Sequence, residues 1–384
     1  MAIKMSKIVI SWAKRTPIGK VGGTLKGYRP EKMTTALIRQ MQEETGIEGE
    51  KIQDLILGNV VGPGGNISRL SALSAGLPFS VPGVTIDRQC GSGLAAMELA
   101  FERAKSNEEA VFLCGGTESV SQAPWKMEKP SRPAQEAPVL YERARFSPDD
   151  IGDPEMGEAA ENVARTYQVT RELQDEFAFQ SQQKAVNAQK EGRFNDEIVP
   201  LGQINEDECP RENTSMRKLK RMPSVFQKNG TVTAANACPI NDGAALAVVT
   251  SQKQANNLGL DTRFSIIDSC TVGVDPNLLG IGPVPAVHTL LQRNGLHIND
   301  IAVMEFNEAF ASQVVASLRE MNISWDRVNL GGGAIALGHP YGASGAVLIV
   351  RLLKEMEATN AKWGIATLGI GGGMGAAMLV EMQR

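Results

Sequence analysis

Several features that would place a chain in the membrane, nucleic-acid or metal-binding classes are missing from this sequence. Its 384 residues contain no uninterrupted apolar stretch of about 20 residues, the length that a membrane-spanning helix needs. There is no long basic run, and the formal net charge is −4, so neither a membrane nor a nucleic acid is an expected partner. No two cysteines form a C-x-x-C pair, and histidine occurs only three times. We therefore expect no structural zinc, no disulfide framework and no bound metal.

The cellular compartment can be predicted from the cysteine count and from the targeting segments that the sequence lacks. The chain has five cysteines, an odd number, and its first 20 residues hold an apolar stretch too short for a secretory signal. The last residues are not a peroxisomal address. A reducing cytoplasm fits these observations best.

What the sequence does contain is an alternation of strand and helix patterns. Short apolar runs at 8–10 and 84–86 predict strands, and apolar spacing at 31–44 and 93–104 predicts helices. Another apolar run, at 111–114, predicts a strand that two glycines stop. This alternation is typical of a layered α/β fold.

The middle of the chain differs in composition and suggests an insertion. Residues 119–240 include a stretch rich in proline and charge, a polar helical stretch and an irregular charged stretch. We predict that 1–118, together with about 241–262, form an N-terminal half. Residues 263–384 then form a C-terminal half.

An internal repeat supports two copies of one α/β unit. Residues 46–55 match residues 295–304 at an ungapped offset of 249, and the same offset places Cys90 on His339. Each of these two residues follows a predicted strand and precedes a predicted helix. A pseudo-twofold arrangement of the copies would bring the two junctions together.

Cys90 is a candidate nucleophile because of its position. It lies among glycines where a strand ends and a helix begins, and helix N-terminal N–H groups favour a thiolate. The alternative is a buried cysteine in a tight turn.

His339 is the candidate base, since it is fixed between Gly338 and Pro340. His288 and His297 read as structural or solvated residues. Asn307 could hold a water or an imidazole, or could instead cap a helix. The glycine-rich run 369–375 predicts a turn between two strands. The exposed N–H groups of this turn could form an oxyanion hole. The alternative is a plain glycine-rich hairpin.

Together these segments resemble the thiolase family, the acetyl-CoA acetyltransferases and 3-ketoacyl-CoA thiolases. The resemblance covers essentially the whole chain. It rests on the segments 15–20, 87–94, 115–119, 157–163, 192–194, 241–243, 307–311 and 338–340. It implies a five-layered, duplicated α/β core in which 119–240 is a loop domain for coenzyme A binding and oligomerisation. It also implies a homodimer or homotetramer acting on acyl-CoA, which is a substrate rather than a cofactor.

The resemblance also implies roles for individual residues. Cys90 attacks a thioester and holds the acyl group, and His339 takes the thiol proton. A water on Asn307, together with His339, binds the thioester oxygen of the second substrate, and the N–H groups of Cys90 and Gly371 form the other oxyanion hole. Contacts with coenzyme A or the acyl chain are expected from a further set, which comprises Arg211, Lys218, Met156, Phe226, Ala234, Cys238, Ala309 and Phe310.

Several positions depart from the family pattern, among them Lys218, which stands where a serine often occurs. Gly369 stands where the family has the cysteine that removes the α-proton of the second substrate, and glycine carries neither acid nor base. Cys238 replaces a hydroxyl that faces coenzyme A, and Glu155 stands where a histidine is common. We therefore expect acyl transfer to survive and the Claisen step to be impaired.

Two other functions stay open. A thioesterase-like hydrolase would use the space at Gly369 for a water, and a non-catalytic coenzyme A binder would need neither Cys90 nor His339. A ketoacyl synthase is disfavoured, because that branch has a histidine at the position of Asn307.

Overall fold

The computed structural model describes residues 6–132, 134, 136–141 and 143–383. Residues 1–5 lie outside this part. They include the start of the segment on which the expectation about a secretory signal rests. No helix in the described ranges is both long and apolar enough to cross a membrane.

Strands and helices alternate along the chain as the apolar pattern predicts. The strands are β1 (Ile8–Arg15), β2 (Gly19–Lys20), β3 (Ile52–Gly58), β4 (Gly83–Ile86), β5 (Val111–Glu118), β6 (Lys126–Glu128), β7 (Val139–Tyr141), β8 (Asn241–Ser251), β9 (Phe264–Gly273), β10 (Val303–Phe306), β11 (Trp363–Ile370) and β12 (Met374–Met382). The helices are α1 (Pro30–Thr45), α2 (Ile67–Ala75), α3 (Ser92–Ser106), α4 (Met156–Thr166), α5 (Arg171–Lys190), α6 (Met216–Leu219), α7 (Gln252–Asn257), α8 (Pro283–Arg293), α9 (Ala311–Glu320), α10 (Ala334–Leu337) and α11 (Tyr341–Thr359).

The main sheet has two halves that repeat one pattern of strand pairing. Its order is β10-β11-β12-β9-β1-β8-β5-β3-β4, and β2 pairs with β8. In one half β1 and β5 run antiparallel to β8, and β3 runs parallel to β5. In the other half β9 and β11 run antiparallel to β12, and β10 runs parallel to β11. The short antiparallel pairing of β1 with β9 joins the halves.

The duplication expected from the sequence is confirmed by the helices as well. A 3-10 turn at Gly49–Lys51 recurs at Ile298–Asp300, and the start of α3 at Ser92 recurs at the start of α11 at Tyr341. Both recurrences have the offset of 249 residues that the sequence repeat shows.

Three apolar clusters define five layers. The central cluster joins α3 and α11 with the inner faces of both half-sheets. A second cluster packs α1 on the outer face of the N-terminal half-sheet, and a third packs α8 and α9 on the outer face of the C-terminal one. The order α-β-α-β-α follows, with α3 and α11 in the middle layer.

The two glycines expected to stop β5 do not stop it. β5 continues through Gly115 and Gly116 to Glu118. An added Cβ at Gly116 would lie 2.0 Å from the carbonyl oxygen of Gly342, so the glycine allows α11 to approach the strand closely. The prediction that this pair ends the strand is wrong, because the glycines allow close packing within the fold instead.

Two helices between β5 and β8, α4 and α5, lie against the C-terminal half. Here α4 packs on α9 and on the 3-10 segment Pro276–Ile281, and α5 packs on α9 and α10. This packing brings the start of α4 near the segment that follows β10.

Candidate active site

Cys90 lies in a tightly held turn between β4 and α3. The preceding residue, Gln89, has a φ of 48°, which is uncommon for a side chain other than glycine. The Ser92 hydroxyl accepts a hydrogen bond from the Arg88 N–H at 2.8 Å and donates one to the Gln89 carbonyl at 2.6 Å. The turn therefore holds the strained residue and fixes the direction of the Cys90 thiol.

His339 lies in the equivalent turn before α11. Its backbone N–H donates to Asn241 Oδ1 at 2.9 Å. Gly338 before it has a φ of 114°, in a region that favours glycine. The imidazole is 2 % exposed, and its Nδ1 lies 2.6 Å from the Ser344 hydroxyl.

The two turns meet. His339 Nε2 lies 3.2 Å from Cys90 Sγ, within hydrogen-bonding distance for a sulfur. The expectation that a pseudo-twofold arrangement brings the two junctions together is confirmed by this contact.

Asn307 completes a row of polar groups. Its Nδ2 lies 3.5 Å from His339 Nε2, and its side chain is buried. The residue that caps α9 is Phe310, so the alternative reading of Asn307 as a helix cap is wrong. Asn307 directly follows β10, and its side chain faces the imidazole instead.

Burial decides the protonation of this pair. It raises the pKa of the Cys90 thiol to about 12, although the backbone N–H groups of Cys90 and Gly371 oppose the rise. It lowers the pKa of His339 to about 4. Near pH 7 both groups are therefore neutral. The helix N-terminus was expected to lower the thiol pKa, and here desolvation outweighs it.

The glycine-rich turn between β11 and β12 lies beside this pair. Its Gly372 and Gly373 have φ values of 84° and 77°, as the sharp turn requires. An added Cβ at Gly91, next to the nucleophile, would lie 2.5 Å from Ile370 Cδ1. The end of β11 is thus pressed against the Cys90 turn, which brings the Gly371 N–H close to the sulfur.

Gly369 leaves room for a side chain. An added Cβ there would lie 3.3 Å from the carbonyl oxygen of Leu279 and 3.6 Å from Gln313 Nε2. Its backbone is not in the left-handed region. The space beside Gly369 is therefore polar, with the Leu279 carbonyl as an acceptor and the Gln313 amide as a donor. We call it the niche at Gly369.

This geometry agrees with comparisons to known proteins. Residues 8–253 match the model of the thiolase N-terminal domain, and residues 260–382 match that of the thiolase C-terminal domain. The chain belongs to the thiolase family.

Relatives and solved structures agree with this family. The chain is 46% identical over 385 residues to a protein of Staphylococcus haemolyticus named "Putative acetyl-CoA C-acetyltransferase VraB", covering 99% of this chain and all of that one. A protein of Staphylococcus aureus with the same name is 48% identical, covering 98% of this chain and 99% of that one. Crystal structures of the Bacillus anthracis acetyl-CoA acetyltransferase and of human mitochondrial 3-ketoacyl-CoA thiolase superpose with TM-scores of 0.92 and 0.93. Each is 33% identical and covers 99% of both chains.

Several of the residues expected to bind coenzyme A in a thiolase lie close together. Phe226 packs over the start of α4, where an added Cβ at Gly157 would lie 2.1 Å from its ring. It meets Phe310 edge-to-face, with ring centroids 6.1 Å apart. Met156 is the first residue of the same helix. These side chains form one apolar wall.

Cys238 and Ala309 connect this wall to the reactive pair. The Cys238 N–H donates to the Ala309 carbonyl at 2.9 Å. Burial raises the pKa of the Cys238 thiol, and a negative charge on Cys90 would raise it further. The hydroxyl-to-thiol replacement lies on the segment that pairs with residues 309–310.

Three expected contacts lie on the outside. Arg211, Lys218 and Ala234 are exposed, and none of them touches the Cys90–His339 pair. Lys218 Nζ donates to the Asn213 carbonyl at 2.6 Å.

Glu155 does not face the site as a free base. Its side chain accepts from α4 in a capping box and pairs with Arg143 Nε at 2.9 Å. The ion pair compensates the anionic group that the sequence places where the family often has histidine.

Sequence reasoning missed four residues around this pair. Ser344 contacts His339 Nδ1, and Phe146 lies over Gly371, where an added Cβ would be 2.7 Å from its ring. Tyr341 packs edge-to-face on His339 with centroids 5.2 Å apart. Glu118 accepts from the Gly342 N–H at 3.0 Å and so ties the start of α11 to β5. For Ser344 a sequence signal existed, since it lies one helical turn beyond the His339 turn.

Proposed function

We propose that this protein is an acyl-CoA acyltransferase of the acetyl-CoA C-acetyltransferase class that forms an acyl-Cys90 intermediate. The observation that carries the proposal is the 3.2 Å contact between Cys90 Sγ and His339 Nε2. A neutral imidazole in contact with a neutral thiol is poised to accept its proton.

The first half-reaction can be written with the residues present. His339 Nε2 takes the thiol proton as Cys90 Sγ attacks the thioester carbon. The negative charge on the thioester oxygen is stabilised by the N–H groups of Cys90 and Gly371. When the carbon–sulfur bond to coenzyme A breaks, His339 returns the proton to the leaving thiolate, and the acyl group stays on Cys90.

The substrate would approach along the apolar wall. We propose that Met156, Phe226, Ala309 and Phe310 line the pantetheine and acyl path, with Cys238 nearest the thioester. Arg211, Lys218 and Ala234 would lie toward the nucleotide end. A second oxygen site would use Asn307 and His339, whose side chains are 3.5 Å apart.

The Claisen step is proposed to be impaired. The described niche at Gly369 offers the Leu279 carbonyl and the Gln313 amide, and neither is a base that can remove an α-proton. A positioned base contributes about 10²–10⁴-fold to such a step. Carbon–carbon bond formation and cleavage should therefore be slower than acyl transfer.

The experiment is covalent labelling of the protein by acetyl-CoA, read by mass spectrometry of its peptides. We expect an acetyl group on Cys90, and none after Cys90→Ala. Labelling that persists in Cys90→Ala would refute the assignment, and the half-buried Cys238 is the internal comparison.

A hydrolase is the second candidate, and the niche at Gly369 favours it. A water held by the Leu279 carbonyl and Gln313 Nε2 would lie near acyl-Cys90 and could attack it, with His339 accepting the water proton. Free acid accumulating from acetyl-CoA would support this function, and acyl-Cys90 stable to water would exclude it. A binder without activity would show neither labelling nor free acid.

The assembly and the setting are proposals of the same kind. We propose a homodimer or homotetramer, working in the cytoplasm in lipid metabolism, with acyl-CoA and coenzyme A as its partners and no cofactor. The family membership supports the choice of substrates.

A further inference from the structure

A small cavity is lined by Asn307 and Ser344, the two side chains that contact the imidazole of His339. Its volume is about 20 Å³, and its polar lining consists of Asn307, Ser344, Glu305 and Arg351. One water needs about 10–15 Å³ and two to four polar partners, so the cavity can hold a single water.

Two polar atoms of its lining have no hydrogen-bond partner among the described residues. They are Glu305 Oε1 and Arg351 Nε, and both residues are at most 2 % exposed. The Arg351 terminal nitrogens are already engaged, one with Glu197 at 2.5 Å and the other with Glu355. Leaving such buried polar groups unpaired is unfavourable, so a molecule that bridges them is favoured.

Glu305 is tied to the candidate site by its strand. It lies on β10 two residues before Asn307, and both residues line the cavity. Burial raises the pKa of Glu305 well above its ordinary value, with Glu355 and Glu197 adding to the rise against the opposing charge of Arg351. Nothing in the acyl-transfer steps uses this carboxyl group.

We propose that one buried water bridges Glu305 and Arg351 to Ser344, and that Glu305 is thereby a positioning residue for His339. The water accepts from Arg351 Nε and donates to Glu305 Oε1. Its remaining lone pair accepts the hydroxyl proton of Ser344. The Ser344 oxygen must then accept from His339 rather than donate to it.

This hydrogen-bond direction fixes the tautomer of the imidazole. With its proton on Nδ1, at 2.6 Å from Ser344, His339 presents an unprotonated Nε2 to Cys90. With the opposite tautomer, Nε2 would carry a proton and could not accept the one from the thiol. The inference rests on the proposed role of His339 as base, but the tautomer can be measured without any activity.

The experiment is ¹⁵N NMR of the protein with labelled histidine, in which protonated and unprotonated ring nitrogens have distinct shifts. Only three histidines occur in the chain, so His339 can be assigned by His339→Gln. We expect an unprotonated Nε2 in the unmodified protein and in Glu305→Gln, whose amide oxygen still accepts from the water. In Glu305→Met, of similar length but without an acceptor, we expect a mixture of tautomers. We also expect at least a tenfold loss of acyl-transfer kcat at unchanged KM, since a wrong tautomer costs a Ser-His-Asp triad about 10⁴-fold.

A second measurement tests the proposal even if the Glu305→Met variant does not fold. A crystal structure of the unmodified protein at a resolution that shows waters should place one water between Arg351 Nε and Glu305 Oε1. A protonated Nε2 in the unmodified protein, an unchanged tautomer in folded Glu305→Met, or a lack of water density at this place would each overturn the proposal. If Cys90 is not acylated but the tautomer responds as stated, the proposed function fails while the positioning role stands.

Discussion

Burial sets the protonation of the two residues that would carry out acyl transfer. Desolvation raises the pKa of the Cys90 thiol and lowers the pKa of the His339 imidazole. Each group is therefore uncharged near pH 7. The nucleophile is therefore formed at the moment of reaction by proton transfer across 3.2 Å, not stored as a thiolate.

The pH dependence of alkylation tests this account of Cys90. With a thiol pKa of about 12, the thiolate fraction rises about tenfold per pH unit throughout the neutral range. The rate of Cys90 modification by iodoacetamide should rise from about pH 6 to about pH 9 without reaching a plateau. Peptide mass spectrometry separates Cys90 from the other thiols, and a plateau already reached below pH 7 would mean a stored thiolate.

The niche at Gly369 gives a prediction by restoration. Gly369→Cys fits if the Leu279 carbonyl gives by a few tenths of an ångström, and it supplies the thiol that the family uses. Cleavage of acetoacetyl-CoA by coenzyme A should rise by about 10²–10⁴-fold, the worth of a positioned base. Gly369→Ser is the matched control, with similar size and no comparable base. Equal rates in the unmodified protein and both variants would mean that another group already removes the proton.

At the scale of elements, the site depends on how closely α11 approaches β5. The Glu118 carboxyl group at the end of β5 accepts hydrogen bonds from the N–H groups of Val60, Val61 and Gly342, and from the Asn59 amide. This side chain ties the start of the helix that follows His339 to the end of the strand.

Removal of the Glu118 carboxyl group should destabilise the fold. Glu118→Ala leaves buried donors unpaired, at roughly 1–3 kcal/mol for each donor that water does not reach. Thermal unfolding should show a clearly lower Tm than the parent. Glu109→Ala, at an exposed position, should leave the Tm nearly unchanged. Similar Tm values for both variants would contradict the anchoring role.

Gly116 tests the close approach itself. A methyl group in Gly116→Ala would meet the backbone of Gly342 at 2.0 Å, and backbone cannot turn aside as a side chain can. We expect a loss of about 1–3 kcal/mol or more in the free energy of unfolding, together with weaker acylation, because α11 must move. The control is Gly27→Ala, since no atom lies within 4 Å of the added Cβ there. Wild-type stability and labelling in Gly116→Ala would contradict this packing argument.

At the scale of the whole molecule, the sequence repeat predicts the meeting of Cys90 and His339. The offset of 249 residues carries that prediction, because two copies of one unit related by a pseudo-twofold axis place equivalent junctions side by side. The alternation of strand and helix patterns predicts a layered α/β fold, and the family resemblance implies the five layers.

Other parts of the site depend on packing that a linear pattern does not encode. Phe146 comes from the segment between β7 and α4. Glu305 on β10 and Arg351 on α11, a helix of the middle layer, line the same cavity. The close packing of the β5 glycines is not visible in the sequence, because Gly116 accommodates a helix that begins more than 200 residues later and Gly115 packs against β8. The direction of the thiol pKa was misjudged because the sequence shows the helix start but not the depth of burial.

The central claim is that acyl transfer to Cys90 operates without a base at Gly369. Exchange of labelled coenzyme A into acetyl-CoA tests it most directly, because exchange needs only the first half-reaction and its reversal. We predict exchange by the unmodified protein and loss of exchange in Cys90→Ala. No exchange by a folded, unmodified protein saturated with both substrates would contradict the claim.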